Sequence, residues 1–392
     1  MKIYRTLLAA LLLISMLLPL ASCGPKPMPE VTTEEVTETA PETVGQEVVA
    51  SSMKEYKMGE IKDSIKLLGE RTGYNKDDEL IVEWSGSGFE MKVKIDEGGS
   101  DLRLGFRCNY TARWKVLVDG KQYGERIATS TGNKKVVVAS AIPAGEHTIA
   151  VIKDTQPATS RNNYNNILSV SFNGEFLEAP AKKDLYLEFI GDGYLVGFGS
   201  LGKGSSSSAS KIIDETSVTS ALPYLTAQAL DADYSIVAHS QIGLATKAGA
   251  YNLRTLYDNQ YAYRDLDVRY NPDRKPDAIV IHVGMDDTLE TLPMGEYIVA
   301  CKEFTQNVRA YYNDQTIPVV WVYNTLYHTV RAGEIEALMK YMGGASANVY
   351  ALKLAYGSNG SGSTETDRYP SAEDHQKSAD ILVPYLKQLL GK

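Results

Sequence analysis

The sequence predicts two folded domains, an all-β sandwich of jelly-roll type followed by a doubly wound, flavodoxin-like α/β domain. Two observations lead to this prediction. Between about residues 60 and 178, apolar residues alternate with polar ones, which is the period of strands with one buried face. After Ala181, short unbroken apolar runs alternate with stretches of helical periodicity, as in a parallel sheet covered by helices on both faces.

The predicted β-sandwich spans residues 56–180. Its clearest strand alternates apolar and charged residues from Phe89 to Ile95. A second strand, Trp114–Val118, runs into Asp119-Gly120, a pair typical of a two-residue hairpin turn in which both residues have positive φ. Many short strands separated by turn residues favour a jelly roll. The lone His147 at the start of a later strand is interpreted as structural, and this domain alone indicates no activity.

The predicted α/β domain spans residues 181–392. Its five predicted strands are Leu185–Ile190, Tyr234–Ala238, Ala278–Val283, Ile317–Tyr323 and Val349–Leu354. Its predicted helices are Thr219–Leu230, Gly295–Tyr312, Gly333–Tyr341 and Ser371–Leu390. In such a fold the ligand site lies beyond the carboxyl ends of the strands, so the segments after each strand are where function is expected.

A predicted leader occupies residues 1–22. Lys2 and Arg5 precede an apolar run from Leu7 to Leu20, which has the length of a secretory signal and is short for a membrane span. The run closes on Ala21-Ser22-Cys23 and resembles the bacterial lipobox. This resemblance implies a lipidated Cys23, a membrane anchor and a folded body at the bacterial cell surface. An ordinary secreted protein is the alternative.

Residues 23–55 are predicted to form a disordered tether. The segment from Gly24 to Ala50 holds six glutamates and one lysine, with no aromatic residue and no apolar periodicity. A recognition tail or a glycosylated stalk is the alternative interpretation of this composition.

The overall composition excludes several classes of function. A formal charge of −9 leaves no basic face for nucleic acid. Besides Cys23, the cysteines are Cys108 and Cys301, whose spacing matches no metal-ligand pattern and whose number excludes a disulfide scaffold. No cofactor is indicated.

The segments that follow the predicted strands carry the functional signal. They are Gly191-Asp192-Gly193-Tyr194, His239-Ser240-Gln241-Ile242-Gly243, Gly284-Met285-Asp286-Asp287, Tyr323–His328 and Asp367-Arg368-Tyr369-Pro370. Together they resemble the SGNH/GDSL hydrolases, and more closely the two-domain carbohydrate esterases of family 2, which deacetylate polysaccharides. The resemblance covers about residues 60–392 and includes Trp84–Gly88, Gly145–His147 and the closing helix that follows Pro370.

The same resemblance implies that four catalytic roles have been lost. The family's nucleophilic serine falls on Gly193, its oxyanion-hole glycine on Gln241, its oxyanion-hole asparagine on Asp286, and its general-base histidine on Tyr369. The aspartate that orients the base falls on Thr366, with Asp367 one residue later, whereas Asp192 and Gly284 are retained. An ionised Asp286 is expected to repel a developing oxyanion. No catalytic residue of the family's kind is therefore expected.

The altered cleft is predicted to bind a glycan instead. Carboxylates accept hydrogen bonds from sugar hydroxyls and tyrosine rings stack on sugar faces. The predicted ligand-binding residues are Asp192, Tyr194, Gln241, Asp286, Asp287, Tyr327, Asp367 and Tyr369. For Asp192 and Asp287 the favoured alternative is that each carboxylate stabilises its own turn by hydrogen bonds. No regular ligand spacing indicates a metal.

Three functions therefore stay open. The first is an inactive esterase-like lipoprotein that binds a glycan or another surface partner. The second is an active polysaccharide O-deacetylase with relocated residues, for which Ser205–Ser208 are candidate nucleophiles and His239 and His328 candidate bases. The third is a structural or scaffolding surface protein with a protein partner. His282 and His375 are interpreted as structural.

Overall fold

The structure, a computed structural model, describes residues 53–205, 208–263, 268–287, 291–323, 332–362 and 368–392. The predicted leader with Cys23 and almost all of the predicted tether lie outside these residues. So do Tyr327, His328, Thr366 and Asp367. Within the described ranges, no helix is long and apolar enough to cross a membrane.

The first half of the described chain consists of strands that form two antiparallel sheets. In chain order they are β1 (Lys54–Lys57), β2 (Ile65–Leu68), β3 (Gly73–Tyr74), β4 (Leu80–Ile81), β5 (Gly88–Ile95), β6 (Ser100–Cys108), β7 (Ala112–Val118), β8 (Lys121–Gln122), β9 (Ile127–Thr129), β10 (Gly132–Ile142), β11 (Gly145–Lys153), β12 (Asn165–Phe172) and β13 (Gly174–Phe176). Strand pairing begins at Lys54, two residues before the predicted start of the sandwich.

The two sheets pack face to face around an apolar core. What we call the outer sheet has the order β10-β6-β12-β4-β3, with β1 also paired to β12. The inner sheet has the order β13-β5-β11-β7-β8, with β2 paired to β5 and β9 to β7. Phe89 of the inner sheet and Phe106 of the outer sheet lie in one buried cluster. The predicted jelly-roll sandwich is confirmed.

The predicted hairpin at Asp119-Gly120 is confirmed. Asp119 has φ 51° and Gly120 has φ 75°, and β7 pairs with β8 directly across these two residues. The Asp119 carboxylate also lies 2.8 Å from Nδ1 of His147, whose Nε2 is 3.0 Å from the carbonyl oxygen of Pro143. His147 therefore ties two turns together.

The second half is a parallel five-stranded sheet with helices. Its strands are β14 (Leu185–Gly191), β15 (Ala232–Ala238), β16 (Ala278–His282), β17 (Val319–Tyr323) and β18 (Val349–Lys353), in the order β15-β14-β16-β17-β18. Its helices are α1 (Ala209–Asp214), α2 (Leu222–Ala229), α3 (Leu253–Leu256), α4 (Met294–Tyr311), α5 (Ala332–Met342) and α6 (Ala372–Leu390). The doubly wound α/β prediction is confirmed; α1 and α3 were not predicted because they are too short to show periodicity.

The inner sheet packs directly on the α/β half. Ala150 and Ile152 of β11 belong to the same buried cluster as Leu187 and Phe189 of β14. The loop after β11 therefore reaches the carboxyl ends of the parallel strands.

A buried ion pair also joins the two halves. Arg71 lies 3.6 Å from the Glu188 carboxylate in the middle of β14, and both side chains are almost completely buried. Arg71 also donates hydrogen bonds to the carbonyl oxygens of Tyr257 and Asn259, each at 2.7 Å. The sandwich is thus held to the first strand of the parallel sheet by a charged group as well as by apolar contact.

Candidate functional site

Three of the predicted segments meet where β15, β14 and β16 end side by side. The amide of Asp192 donates to the carbonyl oxygen of His282 at 3.2 Å, and the amide of His239 donates to that of Gly191 at 3.4 Å. A Cβ atom on Gly191 would lie 2.0 Å from the His282 carbonyl oxygen, so only glycine fits there. The carboxyl ends of neighbouring parallel strands thus place these loops together, as expected.

Gly193 occupies the centre of this meeting point. A Cβ atom built on it would lie 3.3 Å from Cε1 of Tyr369 and 3.3 Å from the Cα and Cβ atoms of Ser240. The Tyr369 ring also packs edge-on against Phe198, with ring centroids 4.8 Å apart. The positions that the resemblance assigns to nucleophile and base are therefore neighbours, but they hold a glycine and a phenol ring.

Gln241 holds an unusual backbone conformation. Its φ is +63°, in the left-handed region that favours glycine and costs other residues on the order of 1 kcal/mol or more. The loop therefore keeps the conformation of a glycine while it presents an exposed glutamine side chain. The backbone N–H of Gln241 donates to the Asp286 carboxyl group, so a donor that the resemblance assigns to the oxyanion hole is used within the protein.

The protonation state of the Asp286 carboxyl group differs from the prediction that this group is ionised. Burial, together with the nearby carboxylates of Asp192 and Asp287, raises the pKa of Asp286 to about 8. The Gln241 amide opposes this rise but does not cancel it. At neutral pH the group is therefore largely a neutral carboxylic acid, which can donate a hydrogen bond as an amide does. The predicted repulsion of an oxyanion is corrected accordingly.

The two other carboxylates of this cluster stabilise loops. Asp192 is completely buried and accepts from the Tyr194 amide at 3.1 Å, while its Oδ1 also lies 3.0 Å from Nδ1 of His282. Asp287 is 2% exposed and accepts from the backbone amides of residues 244, 245 and 246. Their positions favour the turn-stabilising interpretation over contact with a ligand.

Tyr194 lies beneath the site. It is 1% exposed, its ring stacks on His282 at 4.3 Å, and its hydroxyl donates to Ser378 at 2.7 Å. This position does not support the predicted role in ligand binding. The turn Gly191–Tyr194, which we call the elbow, places the Tyr194 ring beneath Gly193, where α6 covers it.

Among the residues that the structure describes, His239 and His375 are buried near the site without a hydroxyl partner. Burial lowers the pKa of His239 to about 4, and its two ring nitrogens face the carbonyl oxygens of Ser240 and Pro157. His375 is fully buried with its pKa lowered to about 3 by burial. The His239 geometry does not support the role of a substitute base.

A cavity of about 370 Å³ opens beside the elbow, and both halves of the protein line it. We call it the elbow cavity. The α/β half contributes Phe198, Ile213 and residues 239–241, and the sandwich contributes Tyr110 and residues 155–160. The sequence did not indicate the sandwich residues, because the loop after β11 carries no motif and lies some 80 residues from its partners.

The sandwich loop after β11 is anchored to the loop after β15 by specific hydrogen bonds. Lys153, at the end of β11, donates to the carbonyl oxygens of Thr155 and Gln156 at 2.9 and 3.0 Å. The Gln156 side chain in turn accepts from the Ser240 amide at 3.0 Å. Burial lowers the pKa of the Lys153 ammonium to about 7, while Glu83 and Asp154 favour its charged form. The sandwich is therefore part of the site.

Comparisons with known proteins agree with this architecture. The family model described as carbohydrate esterase 2 N-terminal matches residues 69–180. The cellulase/esterase CelE of Acetivibrio thermocellus is 25% identical over an alignment of 320 residues that covers 79% of this chain and 37% of that protein. The acetylxylan esterase/glucomannan deacetylase of Cellvibrio japonicus is 24% identical and is covered to 85% of its length. The chain thus spans little more than a third of the first relative.

Solved structures extend the similarity to both halves. An acetyl xylan esterase from Butyrivibrio proteoclasticus has a TM-score of 0.72 at 20% identity, covering 86% of this chain and 99% of that one. A family 2 carbohydrate esterase from Clostridium thermocellum, in complex with cellohexaose, has a TM-score of 0.69 at 21% identity, covering 83% and 99%. The chain therefore matches the carbohydrate esterase 2 N-terminal model over most of its sandwich and has, as a whole, the two-domain fold of the family 2 carbohydrate esterases.

Proposed function

We propose that this chain is a glycan-binding protein that keeps the frame of a carbohydrate esterase and lacks hydrolysis by a serine triad. The observation that carries the proposal is the pair Gly193 and Tyr369, which are neighbours at the positions where the resemblance implies serine and histidine. Glycine has no atom that can attack an acyl carbon. Loss of either residue from a triad costs roughly a millionfold in turnover.

The elbow cavity has the chemistry that glycan binding requires. Tyr110 and Phe198 offer aromatic surface, while Thr155, Asn163 and Gln241 offer polar groups for sugar hydroxyls. Solved proteins of the same fold include one in complex with cellohexaose. A neutral hexasaccharide of xylose or glucose is accordingly the first ligand to test.

We further propose that the protein is anchored at the bacterial cell surface by lipid on Cys23. The support is the apolar run that ends in Ala21-Ser22-Cys23. The tether of residues 23–55 would then hold the folded body away from the membrane. Membrane fractionation of a Cys23→Ala chain tests this, since release of the protein into the soluble fraction is expected and continued sedimentation with the membrane would contradict it.

Binding at the elbow cavity is expected to depend on Gln241 and Tyr369. Gln241→Ala removes an exposed polar side chain from the lining, and Tyr369→Ala removes the ring that supports the lining residue Phe198, 4.8 Å away between ring centroids. Each is expected to weaken the affinity for xylohexaose or cellohexaose about tenfold, equivalent to about 1.4 kcal/mol. Isothermal titration calorimetry measures the change.

Gln376→Ala is the matched control, because Gln376 is an exposed glutamine on α6 that does not line the elbow cavity. Its affinity is expected to equal that of the unaltered chain. Equal affinities for all three variants and the unaltered chain would place the glycan elsewhere.

An active deacetylase is the second candidate, and one observation favours it. Ser240 lines the elbow cavity, and its Cβ atom lies 3.3 Å from the position that a Cβ atom on Gly193 would occupy. The relatives reported above are also named as esterases. Of the earlier candidates, Ser208 caps α1 by accepting from the Lys211 amide. A fluorophosphonate that labels Ser240 would support this candidate, whereas no labelling counts against it.

A further inference from the structure

We propose that the outer sheet carries a second binding site, which takes an uncharged oligosaccharide along a groove separate from the elbow cavity. The inference extends the proposed function, since it rests on a glycan being the ligand. The groove consists of two cavities of about 820 and 620 Å³ that share Asp77 and Glu79 in their linings. We call the two together the outer groove.

The floor of the outer groove is the exposed face of the outer sheet. Gly105 of β6 and Ser169 of β12 lie at the base of the larger cavity, and a Cβ atom on Gly105 would lie 2.5 Å from Oγ of Ser169. Asn166 of β12 lies at the base of the smaller cavity and is only 1% exposed. The small or buried side chains at these positions thus leave room for an oligosaccharide above the sheet.

A fixed polar group stands at the base of the smaller cavity. The Glu79 carboxylate lies 2.5 Å from Arg107 and accepts from the Asn166 amide at 2.7 Å and from Asn75 at 2.9 Å. The Arg107 side chain is still 40% exposed, so N–H groups remain for a ligand. Hydrogen bonds from a group that is already held in place cost little entropy on binding.

Tyrosines line the same cavity as this polar group. Tyr74, Tyr164 and Tyr261 come from three separate segments of the chain. A tyrosine combines a flat apolar face with a polar end, which suits the apolar face and hydroxyl edge of a sugar ring. Arg107, Glu79 and these tyrosines together provide both kinds of contact.

The charges of the outer groove identify the ligand class. Five acidic and five basic side chains line the two cavities, so their formal charges cancel, although the whole chain carries −9. A balanced lining gives no net field to attract a polyanion or a polycation. It offers many donors and acceptors, which an uncharged polysaccharide rich in hydroxyls can use.

The outer groove is independent of the elbow cavity. No residue lines both, although the adjacent residues Asn163 and Tyr164 line the elbow cavity and the outer groove respectively, which makes Arg107→Ala the cleaner of the two groove variants. The two sites can therefore be removed separately by mutation.

Isothermal titration of the full chain with xylohexaose and with cellohexaose tests the proposal. The unaltered chain is expected to bind two sugars per molecule. Arg107→Ala and Tyr164→Ala are each expected to reduce the number to one, with little change between 50 and 500 mM salt because neither ligand nor groove carries net charge. Arg103→Ala is the matched control, since Arg103 lies on the same strand, is exposed and lies outside the groove.

The outcomes separate this inference from the proposed function. If the unaltered chain binds one sugar, Gln241→Ala weakens that binding about tenfold and Arg107→Ala and Tyr164→Ala change nothing, the elbow cavity is the sugar site and the outer groove is not. The same result is expected if another chain segment or a second copy fills the groove. If no sugar binds to the unaltered chain, both proposals fail. Tighter binding of polygalacturonate than of the neutral sugars would also overturn the inference.

Discussion

Replacement of Arg71 by methionine is expected to lower the free energy of unfolding by about 3–5 kcal/mol, because it leaves the buried Glu188 carboxylate without its ion pair. Arg71 also lies over the Tyr270 ring, 3.5 Å from the ring centroid, and donates to two backbone carbonyl oxygens. Urea denaturation at pH 7 measures the loss. The double variant Arg71→Met/Glu188→Gln is expected to recover part of it, since the uncompensated charge is then absent.

The exposed Arg103→Met is the control for this substitution. A loss below 1 kcal/mol for Arg71→Met would mean that the ion pair does not hold the sandwich to the parallel sheet. An equal loss in the double variant would assign the effect to packing alone.

Replacement of Asp286 by asparagine is expected to stabilise the protein increasingly as the pH rises. The pKa of Asp286 is raised from 3.8 to about 8 in the folded chain. The folded state therefore releases this proton less readily than the unfolded state, and stability falls as the pH rises from about 4 to 8. Asparagine has no proton to lose. The gain at pH 9 is expected to exceed that at pH 5 by about 2–4 kcal/mol.

Thermal or urea unfolding of Asp286→Asn at the two pH values makes this comparison. Asp96→Asn, at an exposed position on the sandwich, provides the control for a carboxyl group without burial. A gain that is the same at both pH values would show that Asp286 is ionised throughout, and the repulsion predicted from the sequence would then hold.

The strands and long helices were predictable because their signals are local. The unbroken apolar run at Leu185–Ile190 marks a strand buried on both faces, and β14 covers residues 185–191. The capped, amphipathic pattern after Pro370 likewise marks α6. Each signal lies within one segment, so the sequence is sufficient.

The residues that line and support the site were less predictable, because their positions depend on contacts with residues that are far away in the sequence. The hydrogen bond between Gln156 and Ser240 joins residues 84 positions apart in the sequence, and the ion pair between Arg71 and Glu188 joins residues 117 positions apart. Nothing local distinguishes such a glutamine or arginine from a surface residue. Glu188, inside an apolar strand, was a signal of a buried partner that the sequence did carry.

Two of the tyrosines assigned to the cleft show that side-chain direction was also hard to predict from the sequence. Position after a strand suggested that Tyr194 faces the cleft, but the turn directs its ring under α6 to Ser378. Tyr369, also assigned to the cleft, does lie beside Gly193. Sequence position therefore locates a loop at the site without fixing the direction of its side chains.

Release of acetate from acetylated xylan is the most direct test of the central claim. The purified chain is expected to release acetate no faster than the uncatalysed background, because Gly193 supplies no nucleophile and Tyr369 no base. The Gly193→Ser/Tyr369→His chain serves as the comparison, because it restores the two residues that the resemblance assigns to the triad. Turnover above background by the unaltered chain, abolished by Ser240→Ala, would contradict the account and identify a relocated nucleophile.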